Sequence, residues 1–185
     1  TARGDTYEKQ YRDSVASAVL QNKTLPNARV AAAEIAKSKT FPEQIDLVVS
    51  FGGLCLVGEV KFHLMPTDPH ERDRHWTKLQ GAADQAKRKA AALETRRDVL
   101  AVALGVPLVD AEGLRLLPVV VTNQGFGFST RVNGVLVIEA GYLRTHLGAA
   151  DIVTGMAIDL RGRAPELQRR TLYTSEAHAA TQFEN

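Results

Sequence analysis

Residues 44–62 read QIDLVVSFGGLCLVGEVKF, and this stretch decides the fold. Val, Leu, Ile and Phe crowd it, and the interruption is Gly52-Gly53, a dipeptide able to take the positive φ angles of a tight hairpin turn. The expectation is two antiparallel strands. A symmetric turn pairs Phe51 with Leu54 and, stepping outward, sets Asp46 directly across from Glu59. Side chains alternate along a strand, so Asp46, Glu59 and Lys61 share one face with Val48, Ser50, Cys55 and Val57. The opposite face then carries Ile45, Leu47, Val49, Phe51, Leu54, Leu56 and Val60.

Upstream, Tyr7, Tyr11, Val15 and Val19 recur at helical spacing and predict an amphipathic helix over about Thr6 to Leu20. A second helical piece is expected from about Asn27 to Lys37, after Pro26 and including the alanine run Ala31 to Ala33. Downstream, the polar stretch His63 to Asp73, with Pro66 and Pro69, reads as a loop. From Arg74 on, Trp76, Leu79, Ala83, Ala86, Ala90 and Leu93 describe a helix with one apolar stripe and a Lys/Arg-rich outer face. It is expected to run on through Val99 to Leu104, where Gly105 and Pro107 stop it. Leu114 to Thr122 and Gly134 to Ile138 are apolar and β-branched enough for buried strands. A short helix near Tyr142 to Leu147 follows. The pattern fades after Asp159, and the tail Leu172 to Asn185 reads as frayed or partner-dependent. The order is that of an α/β sandwich with a mixed central sheet flanked by helices, in a single domain over residues 1–185.

Composition excludes several classes. With 44% hydrophobic and 24% charged residues among 185, the chain can bury a core and is neither collagenous nor disordered. A net charge of +2 is too small to diagnose nucleic-acid binding, so any such role must come from a local patch. The lone Cys55 has no disulfide partner within the chain and reads as a small buried residue, in keeping with a reducing, cytoplasmic setting. No apolar run approaches the ~20 residues needed to span a bilayer, so no membrane is expected. The sequence opens at Thr1, as an excised part of a longer protein would, with further domains outside it.

The chemistry lies in the hairpin. Two carboxylates that face each other across a ribbon repel, at a cost of a few tenths to about 1 kcal/mol when exposed and more when buried. A hard divalent cation such as Mg²⁺ offsets that repulsion and takes carboxylate, water and phosphate oxygens. Such an ion activates water and shields an anionic phosphate, while Lys61 beside it can orient the attacking water or stabilise the transition state.

Here the chain resembles the PD-(D/E)XK nuclease superfamily. That family's restriction-endonuclease-like core runs α-β-β-β-α-β, and its metal site joins an acid on one strand to (D/E)-x-K on the next. Glu59-Val60-Lys61 is similar to the second element. Asp46 is similar to the first, with Ile45 where the family pattern has proline. GDTYEKQ places Glu8 where many members carry a first-helix glutamate, and KLQGAADQAKRK places Gln80 where some carry a glutamine, with Gln85 as a substitute. LPVVVTN and GVLVIEAGYLRTHL look like the later strands, so the resemblance spans about residues 4–147. It implies catalytic roles for Asp46, Glu59, Lys61, Glu8 and Gln80, and a metal set of Asp46, Glu59, Val60 and Glu8. It further implies Mg²⁺, with Mn²⁺ as a substitute, and a nucleic-acid substrate, DNA rather than RNA. Such enzymes act as cleaving domains of defence, restriction or repair proteins and often pair as homodimers on duplexes. Two alternatives stand beside this one: an RNA-cleaving enzyme of the same fold, and a nucleic-acid-binding or assembly module whose catalysis has lapsed.

Plainer readings apply to the individual residues. A lone E-x-K is common on solvated strand edges, and Glu8 between apolar positions suits the wet face of a helix. Lys87, Arg88 and Lys89, with Arg96 and Arg97, suit either phosphate contacts or a solubilising face. His63, His70 and His75 flank the hairpin exit without a fixed ligand geometry. Of the three, His63 is best placed, following Lys61 by two on the same strand face.

Overall fold

The computed structural model describes residues 2–64, 66–124, 130–157 and 166–183. Its first helix, α1 (Ala2–Gln21), leads to a short strand β1 (Arg29–Val30), the hairpin β2 (Leu47–Phe51) and β3 (Leu54–Lys61), and the long helix α2 (Pro69–Thr95). Helices α3 (Arg97–Leu104) and α4 (Leu108–Glu112), strands β4 (Arg115–Thr122), β5 (Arg131–Val132) and β6 (Val135–Glu139), and helix α5 (Ala140–Gly148) follow. The hairpin β7 (Asp151–Ala157) and β8 (Glu166–Thr171) and helix α6 (Glu176–Thr181) close the described chain.

A mixed six-stranded sheet in the order β1-β2-β3-β4-β6-β5 forms the centre. β3 lies antiparallel to β2 and parallel to β4, and β4 lies parallel to β6. The hairpin has the expected register: Phe51 faces Leu54 and Leu47 faces Gly58, with Gly52 and Gly53 at φ 53 and 80. One sheet face packs Leu47, Val49, Phe51, Leu54, Leu56 and Val60 against Tyr11, Val15, Leu143 and Leu147 of α1 and α5. The other packs Val48, Cys55 and Val57 against Ala90, Leu93 and Leu100 of α2 and α3. Ile45 departs from the alternation. It lies beyond the hairpin ladder, bridges Ile35, and joins the cluster with Val48 rather than the one with Leu47.

Four expectations are corrected. The segment Asn27 to Lys37 is not helical: β1 adds to the free edge of β2, the Ala31 N–H donates to the Val48 carbonyl at 3.0 Å, and Ile35 pairs with Ile45. An alanine run this short cannot hold a helix by propensity alone, and an open strand edge offers it hydrogen bonds and burial instead. The loop after β3 ends at Asp68, not Asp73. The Asp68 carboxylate caps the Glu71 N–H at 2.8 Å, and Pro69 takes the first helical position, where its missing N–H costs nothing.

The long helix does not run through to Leu104. It breaks at Arg96 (φ −131, ψ 60), whose guanidinium binds Asp98 and the Thr40 carbonyl, and α3 then stops at left-handed Gly105 as read from the sequence. The tail is not frayed over its described part: Tyr173, Ala179, Ala180 and Phe183 join the core behind β2, and Ser175 caps α6. Residues 158–165, where the pattern fades, and 184–185 of the tail lie outside the described residues. Among the described residues no helix is long and apolar enough to cross a membrane.

Candidate functional site

Asp46 sits one residue before β2, and two neighbours fix it there. Arg12 of α1 donates from Nη1 to its carbonyl at 2.7 Å, and the Val60 N–H donates to its Oδ2 at 3.0 Å. Glu59 extends from β3 next to it. Both carboxylates are buried, at 5% and 2% exposure, so neither can be left without a partner. The partner is Lys89 of α2, itself 6% exposed. Its Nζ lies 3.3 Å from both Asp46 oxygens and is hydrogen-bonded to Glu59 Oε2, while Lys61 Nζ is paired with Glu59 Oε1. The two acids therefore converge on one point, and an ammonium group occupies it.

Burial, then the neighbouring Glu59 charge, push the Asp46 carboxyl well above the usual range, to about 6; Lys89 and the Val60 N–H pull the other way. Glu8, half-buried on α1, adds its charge to the upward push and so lies within electrostatic range of Asp46. The N–H and C=O of one strand residue leave on the same edge, so the Val60 carbonyl also faces the Asp46 side, beyond the last β2–β3 pair. Gln80 is half-buried on α2 but leaves the helix about two and a half turns before Lys89, on the opposite flank of the buried stripe. Gln85, one turn before Lys89, shares the Lys89 flank.

The geometry thus brings together Asp46, Glu59 and Lys61, with Glu8 near, and sets Gln80 apart. Lys89 is the member that sequence reasoning missed, because it was grouped with Lys87 and Arg88 as an outer face. Its helical phase carries the signal: it follows Ala86 by three and Ala82 by seven, at the margin of the apolar stripe that meets the sheet. Three other cations of that group, Arg88, Arg96 and Arg97, hold structure. Arg88 Nε stands 3.6 Å from Glu43, and Arg97 binds Glu94 and the carbonyls of Ala111 and Leu114.

Cys55 is buried in the sheet and its thiol is pushed up to about 12, which removes it as a nucleophile at neutral pH. The rings of His63 and His75 meet at a tilt of 41° with centroids 5.0 Å apart. Burial, then the charges of His75, Lys78 and Lys61, hold His63 down to about 4 and hence neutral.

Among the described residues no three His, Cys, Asp or Glu side chains gather as a metal cluster. Two carboxylates and a carbonyl are nonetheless the hard oxygen donors a small divalent cation prefers, with water and substrate completing the shell. The two carboxylates already share one cationic nitrogen, that of Lys89, at the point such an ion would take. Comparison with protein-family models, curated proteins and solved structures found no match to this chain.

Proposed function

We propose that this chain is a metal-dependent nuclease of the PD-(D/E)XK type that hydrolyses DNA phosphodiester bonds. The observation that carries the reading is the convergence of Asp46 and Glu59, from neighbouring strands, on a single cation-binding point with Lys61 paired to Glu59. The element order α1, β1, β2, β3, α2, β4 supports it, being that of the restriction-endonuclease-like core. Strand β1 supplies the third strand where a helix was expected from the sequence.

Asp46, Glu59 and the Val60 carbonyl would hold Mg²⁺ or Mn²⁺, and Glu8, whose charge is felt at Asp46, would act on the shell through a metal-bound water. Such an ion supplies an activated water and charge shielding for the phosphate. The protein supplies the rest. The Val60 N–H fixes the Asp46 carboxylate, and Lys61, a third exposed while Glu59 is buried, carries the site's positive charge toward solvent and substrate. Its Nζ is the group to orient the nucleophile or stabilise charge on the reacting phosphate. Lys89 must yield its place when a divalent ion takes the same oxygens.

The experiment is incubation of supercoiled plasmid and labelled RNA with Mg²⁺ or Mn²⁺. Glu59→Gln and Lys61→Ala should each lower plasmid cleavage by about a hundredfold or more. Cleavage that survives both substitutions removes this site from the reaction, and cleavage of RNA alone transfers the reading to that substrate. The second reading, a nucleic-acid-binding module whose catalysis has lapsed, is favoured by the way Lys89 fills the space between the acids. Binding of DNA with no cleavage under either metal would establish it.

A further inference from the structure

We propose that the cleft between the exit of β3 and the first turns of α2 binds a phosphate group of a nucleic-acid strand, next to the phosphate held at Lys61. The inference rests on the nuclease reading and names a second point of substrate contact.

The cleft encloses about 340 Å³, with Phe62 and His63 on one wall and Glu71, Arg74, His75 and Lys78 on the other. The last four lie one helical turn or less apart, so they form a single file along α2. The carboxylate in that file is already engaged, since Glu71 Oε2 accepts from the Thr67 N–H at 2.7 Å and from its hydroxyl at 2.8 Å. Among the described residues neither Arg74 nor Lys78 closes an ion pair. The cleft therefore sets two cations, Arg74 and Lys78, beside a single acid, Glu71, whose carboxylate is already bonded to Thr67 and also feels the charges of Arg74 and His75. A guanidinium fork and an ammonium group are the pair that suits phosphate oxygens.

His63 adds a neutral donor. Its Nε2 is buried and, among the described residues, without a hydrogen-bond partner, and a proton on that nitrogen would suit a phosphate oxygen. The wall that carries it is fixed. Asn123 accepts the His63 N–H at 2.7 Å and donates to its carbonyl at 3.0 Å, acting as one more peptide unit of the neighbouring strand.

Position gives the cleft its meaning. His63 follows Lys61 by two residues, about 7 Å along an extended chain and on the same face. The acid centre, Lys61 and the cleft thus lie in line, at a spacing that suits successive phosphates of one strand. Phe62, at the rim and 44% exposed, offers a ring on which a sugar or base can rest.

The test removes metal to separate binding from cutting. Fluorescein-labelled DNA is titrated in EDTA and followed by anisotropy, against wild type and the double variant Arg74→Ala/Lys78→Ala. The variant should bind at least tenfold more weakly, with the slope of log affinity against log salt reduced by between about one and two. In parallel, pyrophosphate should shift the ring-proton NMR signals of His63 and His75 in wild type but not in the variant. Equal affinity and slope in both proteins, DNA binding to neither, or silent histidine signals would each overturn the proposal. The two readings fail separately. Uncut plasmid with this binding pattern intact removes the nuclease and leaves the cleft, whereas cut plasmid with an unaltered double variant does the reverse.

Discussion

At the scale of single residues, Lys89 sets the energy of the site. A lysine enclosed by two buried carboxylates gains little over apolar packing, but loss of one partner strands the others at a cost of about 3–5 kcal/mol. Lys89→Met should therefore lower the melting temperature in EDTA by several degrees. Added Mn²⁺ should raise it more in the variant than in wild type, because the vacated point becomes free for the ion. Thermal unfolding with and without Mn²⁺ measures both; a metal that moves neither protein's melting point would rule out the metal centre. Asp46, Glu59 and Lys61 were legible in the sequence because the two-residue period of a strand and one glycine turn fix which side chains share a face. Lys89 was not, because its partners lie on another element, and local composition gives a basic run no reason to turn one member inward.

At the scale of elements, the hairpin turn and the terminal helix depend on each other. A Cβ on Gly52, already at φ 53, would stand 2.2 Å from the Glu176 carbonyl oxygen, whereas one on Gly53 would meet nothing within 4 Å. Gly52→Ala should destabilise the protein by about 1–3 kcal/mol more than Gly53→Ala, read from urea unfolding midpoints, since it adds a backbone clash to the positive-φ strain both share. Equal losses would show that α6 moves aside freely. The hairpin and its register could be read locally. The tail could not, because Tyr173 and Phe183 are separate aromatics without a period, and their burial comes from distant parts: Tyr173 is hydrogen-bonded to Asn22 and to the His146 carbonyl, and Phe183 packs edge-on to Phe51. The start of α2 was legible but misread. Pro66 and Pro69 together read as a loop, although Asp68 before Pro69 and Glu71 after it mark a helix beginning.

At the scale of the whole molecule, His146 and Asp46, buried on opposite faces of the sheet, give opposite responses to acid. His146, 2% exposed among Tyr173 and Phe183, is held down to about 4 by burial, partly offset by the Ala179 backbone. Its unfolded form takes up a proton near pH 6.5 while the folded form does not, so this group's contribution to stability is lost as the pH falls from about 6.5 toward 4. Asp46 on the other face has a raised pKa, and its contribution is lost instead as the pH rises from about 4 toward 6. Denaturant unfolding of wild type and His146→Phe at pH 7 and pH 4.5 should show wild type losing about 2 kcal/mol relative to the variant. A constant difference would mean that the imidazole takes up its proton in place.

Helix α2 also runs against β3: Lys89, toward its end, meets Glu59, while Arg74, His75 and Lys78, toward its start, meet His63. The step from Lys78 to Lys89 is about three full turns, so both leave the helix at the same azimuth, like teeth cut on one line of a shaft. Deleting a single residue between them would rotate the upper teeth by roughly 100° and leave the lower one engaged. This stretch can change length only by whole turns.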